Sequence, residues 1–360
     1  MALVQNIAYG IPSGELKEYG VPSLIRENSY SKTYRVTVSD DSFYFLRVNI
    51  LSQMPQGMLD DQGDVISFKL AQDLCHENIA QVFHGRYYNE AIGSYQYVKT
   101  ECFDGELLSD KLKREGKLPL DEAVRIFRGI LEGLHYLQTQ KKPLIFNNIT
   151  PQNIIINNDG TVKLMNLGHL SIIEIPFIKM PFDNKELDER YLSPESYHHI
   201  YTAQTDIYSA SAVFYQMLFG HTPWPTVSLA DRNWHSLEES SRTIEPDFTG
   251  RDLPDAYRKI LGEGLRWHMF FRYPYAESII SDIDKANEAI LSPPLQKKAD
   301  MISIDNQSKK KIGSVIPRIP RMISDVFRSF FTLLINNPLA SHIENDCRVL
   351  GKKRVQKKRQ

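Results

Sequence analysis

Side-chain amides crowd two short stretches of the chain. Phe146-Asn-Asn-Ile-Thr-Pro-Gln-Asn153 carries Asn147, Asn148 and Asn153, and Val162-Lys-Leu-Met-Asn-Leu-Gly168 adds Asn166. An amide donates and accepts hydrogen bonds but has no charge. Such residues tie a loop together well, yet an amide is a poor proton acceptor and a weak ligand for a hard divalent cation. Thiol chemistry has little support. Cys75, Cys102 and Cys347 are widely separated and form no C-x-x-C pair, which excludes a disulfide scaffold and favours a reducing compartment. His198-His199, Trp224, Trp234 and Trp267 show no chemical pattern, and a structural role is expected for each.

The elements that must position the amides fall into two groups. Tyr34-Arg-Val-Thr-Val38 and Phe43-Tyr-Phe-Leu-Arg-Val-Asn-Ile50 flank Asp40-Asp41 and read as a β-hairpin. Residues about 63–75 have helical spacing, with Val65, Phe68, Ala71 and Leu74 on one face. Two further strands are expected over Ile79 to Tyr87 and Ser94 to Thr100. Beyond Asp104-Gly105 the period lengthens. Leu120 to Leu137 places Val124, Phe127, Leu131, Leu134 and Leu137 on one helical stripe. Asn153-Ile-Ile-Ile156 and Thr161-Val-Lys-Leu-Met165 flank Asn157-Asn-Asp-Gly160, a hairpin-turn sequence, and a buried helix from about Thr205 to Phe219 closes at Gly220. The amides therefore lie around a small hairpin inside a helical region.

The composition agrees with a folded chain. With 360 residues, 42% of them hydrophobic and 19 glycines, it can bury a large core as two units or one bilobal unit. No 18-residue apolar run and no secretory leader is seen. The net charge of −1 conceals a division: residues 291–360 hold 15 Lys+Arg against 5 Asp+Glu, whereas the preceding residues hold 28 against 39. In that tail, positions 321–335 place Met322, Val326, Phe330 and Leu334 four apart between basic runs, the pattern of an amphipathic helix. Such a helix can dock on a protein, on the acidic body or on an anionic membrane surface; nucleic acid is a less fitting partner.

Taken together, several ordered segments resemble the eukaryotic-type Ser/Thr protein kinases. Phe146 to Ile156 and Val162 to Gly168 resemble the catalytic loop, hairpin and metal loop. Leu74-Cys-His-Glu-Asn-Ile79, Tyr191-Leu-Ser-Pro-Glu195 and Thr205-Asp-Ile-Tyr-Ser209 match further segments in the right order. The resemblance implies an α+β, bilobal protein-kinase-like fold: an extension over 1–20, a small β-rich lobe with one main helix over 21–103, a larger mostly helical lobe over 104–290, and the basic tail.

It also implies where chemistry would be done, and there the chain departs. In the family one aspartate orients the substrate hydroxyl and another holds Mg²⁺; the matching positions here are Asn148 and Asn166. Asn153 matches a second metal ligand, although the same amide can tie the loop backbone. The glycine-rich phosphate loop is replaced by Arg26-Glu-Asn-Ser-Tyr-Ser31, with Glu27 in it. Arg47 takes the place of the phosphate-pairing lysine and Ser67 that of its glutamate partner, with Asp64 as a substitute one turn earlier. The resemblance leaves Arg47, Glu101, Phe103 and Asn153 as nucleotide contacts, with Phe45 expected to occlude the adenine volume.

The scaffold positions are kept. Phe146 and Leu167 suit an internal stack with Val82 and Ala71, Gly168 ends the metal loop, Asp206 matches the residue that holds the catalytic-loop backbone, and Glu195 with Arg272 matches a bracing ion pair. The expected function is a pseudokinase, a regulatory binding module acting through protein partners in the cytoplasm or peripherally at a membrane, with no cofactor or metal. The alternatives are a divergent ATP-binding phosphotransferase without efficient Mg²⁺ binding, using Asp104 or Glu106 as a rerouted carboxylate, and a membrane-surface adaptor.

Overall fold

Aromatic and β-branched side chains fit a pleated, half-buried surface, and the first part of the described chain is sheet. The computed structural model describes residues 21–39, 42–89, 93–172, 187–198, 200–224 and 245–291. Strands β1 (Val21–Glu27), β2 (Ser31–Thr37) and β3 (Ser42–Ile50) form an antiparallel meander. Strand β5 (Gly93–Thr100) pairs with β3 and with β4 (Val82–Asn89), which gives the order β1-β2-β3-β5-β4. The expected hairpin is thus present, while its Asp40-Asp41 turn and the 1–20 extension lie outside the described residues.

Helix α1 (Ile66–Ala71) is shorter than the helix expected over about 63–75. Asp60 is the reason at the near end. Its Oδ1 accepts the backbone N–H groups of Gln62 and Asp64, each at 2.9 Å, and closes a turn that delivers Val65 in an extended conformation. At the far end Leu74 N donates to Ala71 O in a turn. Val65, Phe68, Ala71 and Leu74 are nevertheless all buried, so the spacing read the face correctly and the length wrongly.

Strand β6 (Phe103–Leu107) pairs briefly with β3 and then with β8 (Ile154–Asn157), which pairs with β9 (Val162–Leu164). Backbone hydrogen bonding therefore runs from the small sheet into the larger lobe. That lobe consists of α2 (Leu108–Glu115), α3 (Leu120–Gln138), α4 (Ala203–Phe219), α5 (Asp255–Gly264) and α6 (Ala276–Leu291), with β7 (Leu144–Ile145) and β10 (Ser171–Ile172) paired beside the amide-rich loop. The apolar stripe of α3 packs on α4, where Phe127 and Phe214 stack with centroids 4.3 Å apart. Helix α4 starts where Thr202 N donates to Thr205 Oγ1 at 3.0 Å and ends at Gly220, whose φ of 82° is the left-handed conformation that suits glycine.

One buried cluster takes side chains from both lobes, among them Val65, Phe68, Ala71, Val82, Phe146 and Leu167. No described helix is long and apolar enough to cross a membrane. The chain divides into two units, Met1–Pro293 and Pro294–Gln360. The second, including the helix expected over 321–335, lies outside the described residues.

Candidate functional site

Strand register decides what the underside of the sheet presents. Arg26 pairs with Thr33, Thr33 with Arg47 and Arg47 with Val98, while Arg35 pairs with Phe45. Cross-strand partners share a face, so Arg26, Thr33, Arg47 and Val98 form one row and Arg35 and Phe45 the next. All six line a cavity of about 360 Å³ whose opposite wall includes Lys113 of α2, Gln152, Asn153 and Asn166. Arg26 Nη2 donates to Gln152 Oε1 at 3.2 Å and ties β1 to the Pro151–Asn153 turn.

The amides are used on one another. Asn166, held in the left-handed region with φ 65°, donates its Nδ2 to Asn153 Oδ1 at 3.2 Å. Asn153 Nδ2 donates to the Asn148 carbonyl at 2.9 Å, and Asn148 Nδ2 lies 3.2 Å from His169 Nδ1. Asn153 therefore does tie the loop backbone. Neighbouring Asn147, with φ 64°, donates Nδ2 to the His169 carbonyl and to Ser171 Oγ. All of these side chains are buried except that of Asn166, which is half-buried.

Asp206 of α4 holds this loop from below. Phe146 N and Asn147 N donate to its two carboxylate oxygens at 2.6 and 2.8 Å. Complete burial pushes its carboxyl up to about 7 from the ordinary 3.8, against the downward pull of those two backbone bonds. Further out, Arg272 Nη1 and Nη2 donate to Glu195 Oε1 and Oε2 at 2.6 and 2.9 Å. The guanidinium also donates to the carbonyls of Gln204, Arg266 and Trp267, so the buried cation is surrounded by acceptors.

In the small lobe Phe45 is 3% exposed and belongs to an aromatic cluster. Its ring meets Phe43 edge-on at 5.5 Å and lies 6.2 Å from Phe103, above Ile155 and Met165. Arg47 is also buried, with Nε bonded to Asn49 Oδ1 at 2.8 Å, and its Nη1 approaches Gly168. Ser67 is buried and does not line the cavity.

Several expected contacts go elsewhere. Asp64 does not replace the missing glutamate: its carboxylate faces Arg86 at 3.5 Å. Glu101 is taken by Lys163 at 3.0 Å and by Gln81 N at 2.9 Å, and Phe103 is sealed among its aromatic neighbours, so neither lines the cavity. Neither rerouted carboxylate is available there. Glu106 forms a two-pronged pair with Arg114, and Asp104 accepts from Asn158. Glu27 turns outward to Lys32 at 2.9 Å.

Other site residues carried little sequence signal. Asn28 Oδ1 accepts the backbone N–H groups of Tyr30 and Ser31 at 3.0 and 2.6 Å, which occupies donors that a phosphate-binding loop would offer. Tyr30 is packed into the main core. Arg35 is brought to the site by the β2–β3 register, which no local pattern encodes, and Arg26, Lys113 and His169 have no sequence pattern to mark them. The alternation of β3 could have shown that Arg47 and Asn49 share a face.

Comparison with known proteins agrees with this architecture. Residues 56–280 match the protein kinase domain family. A probable serine/threonine-protein kinase of Clostridium perfringens is 27% identical over 191 residues, 52% of this chain and 27% of that protein. Serine/threonine-protein kinase PrkC of Bacillus subtilis is 27% identical over 248 residues, 67% and 36% of the two chains, and probable kinase WNK10 of Arabidopsis thaliana is 30% identical over 175 residues, 48% and 31%. The chain thus spans about a quarter to a third of the length of these relatives. With the family model covering more than half of its residues, the chain belongs to the protein kinase domain family.

Proposed function

We propose that the protein is a pseudokinase: a kinase-fold module that binds rather than transfers phosphate, and that regulates through contacts with protein partners. One observation carries the reading. Asn166, Asn153 and Asn148 form a neutral hydrogen-bonded series where phosphoryl transfer requires a metal-binding carboxylate and a proton-orienting one. The residues do not fit the divalent cation that the family implies. Asn166 and Asn153 are bonded to each other, and among the described residues no three His, Cys, Asp or Glu side chains converge.

The direct test is label transfer from the γ-phosphate of ATP by the purified full chain, with Mg²⁺ or Mn²⁺ and generic Ser/Thr substrates. The expected result is no incorporation above the blank. Incorporation that disappears in Asn148→Ala or Asn166→Ala would overturn the proposal. The kinase names of the relatives favour a second reading, weak Ser/Thr phosphotransfer, which the same assay decides. The tail is proposed as the second contact surface, for a protein partner or an anionic membrane.

A further inference from the structure

The small-lobe sheet has a second face, turned away from the cleft, because successive side chains of a strand point to opposite sides. The register puts Val36 beside Tyr44, Tyr34 beside Leu46 and Val48 beside Tyr97 on that outer face. Leu24 on β1 and Phe83 on β4 stand at its two margins. Burial there is uneven in a way that a bare sheet does not produce. Val36 is 1% exposed and Tyr44 3%, whereas Leu24 is 47% and Phe83 55% exposed. Neighbouring strands shield a side chain from its flanks, but an apolar sheet face loses water from above only under a second layer. Among the described residues the cluster has no second layer. Its apolar members, Val48 and Tyr97 included, all belong to the sheet, and Lys99 Nζ, 4.6 Å from the Tyr44 ring centre, reaches over one ring.

The cover must come from elsewhere in the chain, and one segment suits it by position, length and chemistry. Residues 1–20 run directly into β1 at Val21, which pairs with Thr37, the neighbour of Val36. From β1 to β5 the sheet is three strand spacings wide, roughly 14 Å, which a handful of extended residues can cross. The first 14 residues carry no charged side chain, and Leu3, Ile7, Tyr9 and Ile11 all fall on odd positions, the alternation of a chain that lays one side on an apolar layer. The stretches 40–41 and 90–92 are too short to form a layer.

We infer that residues 1–20 seat on the outer face of the small-lobe sheet of their own chain, over Val36, Tyr44 and Leu46, as an apolar cover that closes this face to partners. A protein reaching the outer side of the lobe then meets the margins at Leu24 or Phe83, or has to displace the cover. Whether the cleft transfers phosphate does not bear on this contact.

The experiment is photo-crosslinking in the full 360-residue chain. Benzoylphenylalanine replaces Tyr97, half-buried on this face, and in a separate sample Ile66, an exposed residue at the start of α1 and off the sheet. An equal mixture of ordinary and isotope-labelled protein tells contacts within a chain from contacts between copies. Adducts from position 97 to peptides of residues 1–20, of matched isotope and absent from position 66, are expected. A second arm places two carboxylates in the cover of the full chain, Ile7→Asp with Tyr9→Asp. Binding of a dye that reports exposed apolar surface is expected to rise several-fold, and the yield of the adduct from position 97 to fall. Adducts to residues 292–360 in place of 1–20, adducts of mixed isotope, adducts equal from both positions, or none to residues 1–20 overturn the proposal, as does a double variant that binds no more dye than the wild type.

Discussion

Arg272 and Asp206 are two buried charges with opposite dependence on their surroundings. Arg272 gives its donors to Glu195 and to three backbone carbonyls. Removing one partner from such a pair leaves the other charge desolvated and alone, at a cost of about 3–5 kcal/mol. Arg272→Met should therefore lower the urea midpoint sharply, and combining it with Glu195→Leu should recover much of the loss. Asp206 instead carries a folded carboxyl pushed up to about 7 from 3.8. The stability tied to that difference is fully present below about pH 4 and is lost as pH rises through 7, an effect on the order of a few kcal/mol. Unfolding measured across this window should show wild-type stability falling with pH relative to Asp206→Asn, which does not titrate there. The variant should also be less stable at pH 5, because its Nδ2 would meet the N–H of Phe146 or Asn147. Both positions were legible in the sequence only through the resemblance to the protein kinases, whose ordered segments they match. Asn28 and Asn49 were not, since what they bond is decided by a turn and by a strand face that only the assembled sheet defines.

At the scale of elements, β2 to β5, β8, β9, α3 and α4 lie close to their expected limits, because alternation and a 3.6-residue stripe survive from sequence into burial, whereas β1, β6, α2, α5 and α6 carry no expectation from the sequence. Helix α1 was over-extended because one aspartate side chain, Asp60, ends the turn before it, and hydrogen bonds of that kind leave no periodic trace. Glycines divide in the same way between local propensity and assembled contact. Gly262 lies within α5 and, its own helix backbone apart, no described atom lies within 4 Å of where a Cβ would stand, so Gly262→Ala should stabilise by about 0.5–1 kcal/mol through helix propensity alone. Gly105 lies in β6, where a Cβ would come 2.1 Å from the Ile156 carbonyl oxygen. Gly105→Ala must push β6 from β8 and should cost about 1–3 kcal/mol. Thermal midpoints of the two variants are expected to move in opposite directions. The β6–β8 rungs carry backbone pairing between the lobes, so the Gly105 variant should also lose amide protection in β8.

For the whole molecule the controlling quantity is the separation of charge rather than its sum. The first 290 residues hold 28 basic against 39 acidic side chains, and the remaining residues hold 15 against 5. Near neutral pH the chain is close to its isoelectric point of about 6.8, so long-range repulsion between copies is weak. Each copy then offers an acidic surface and a basic segment, an arrangement in which attraction between molecules exceeds what the net charge of −1 suggests. Light scattering at pH 7 should therefore find the full chain associating as concentration rises at low ionic strength, and dispersing when salt shortens the Debye length to a few ångströms. A chain ending at Pro293, stripped of the basic segment, retains a large negative charge and should stay monomeric at every salt concentration. Association that survives both high salt and the truncation would point to an apolar contact between the kinase-fold units and away from charge segregation.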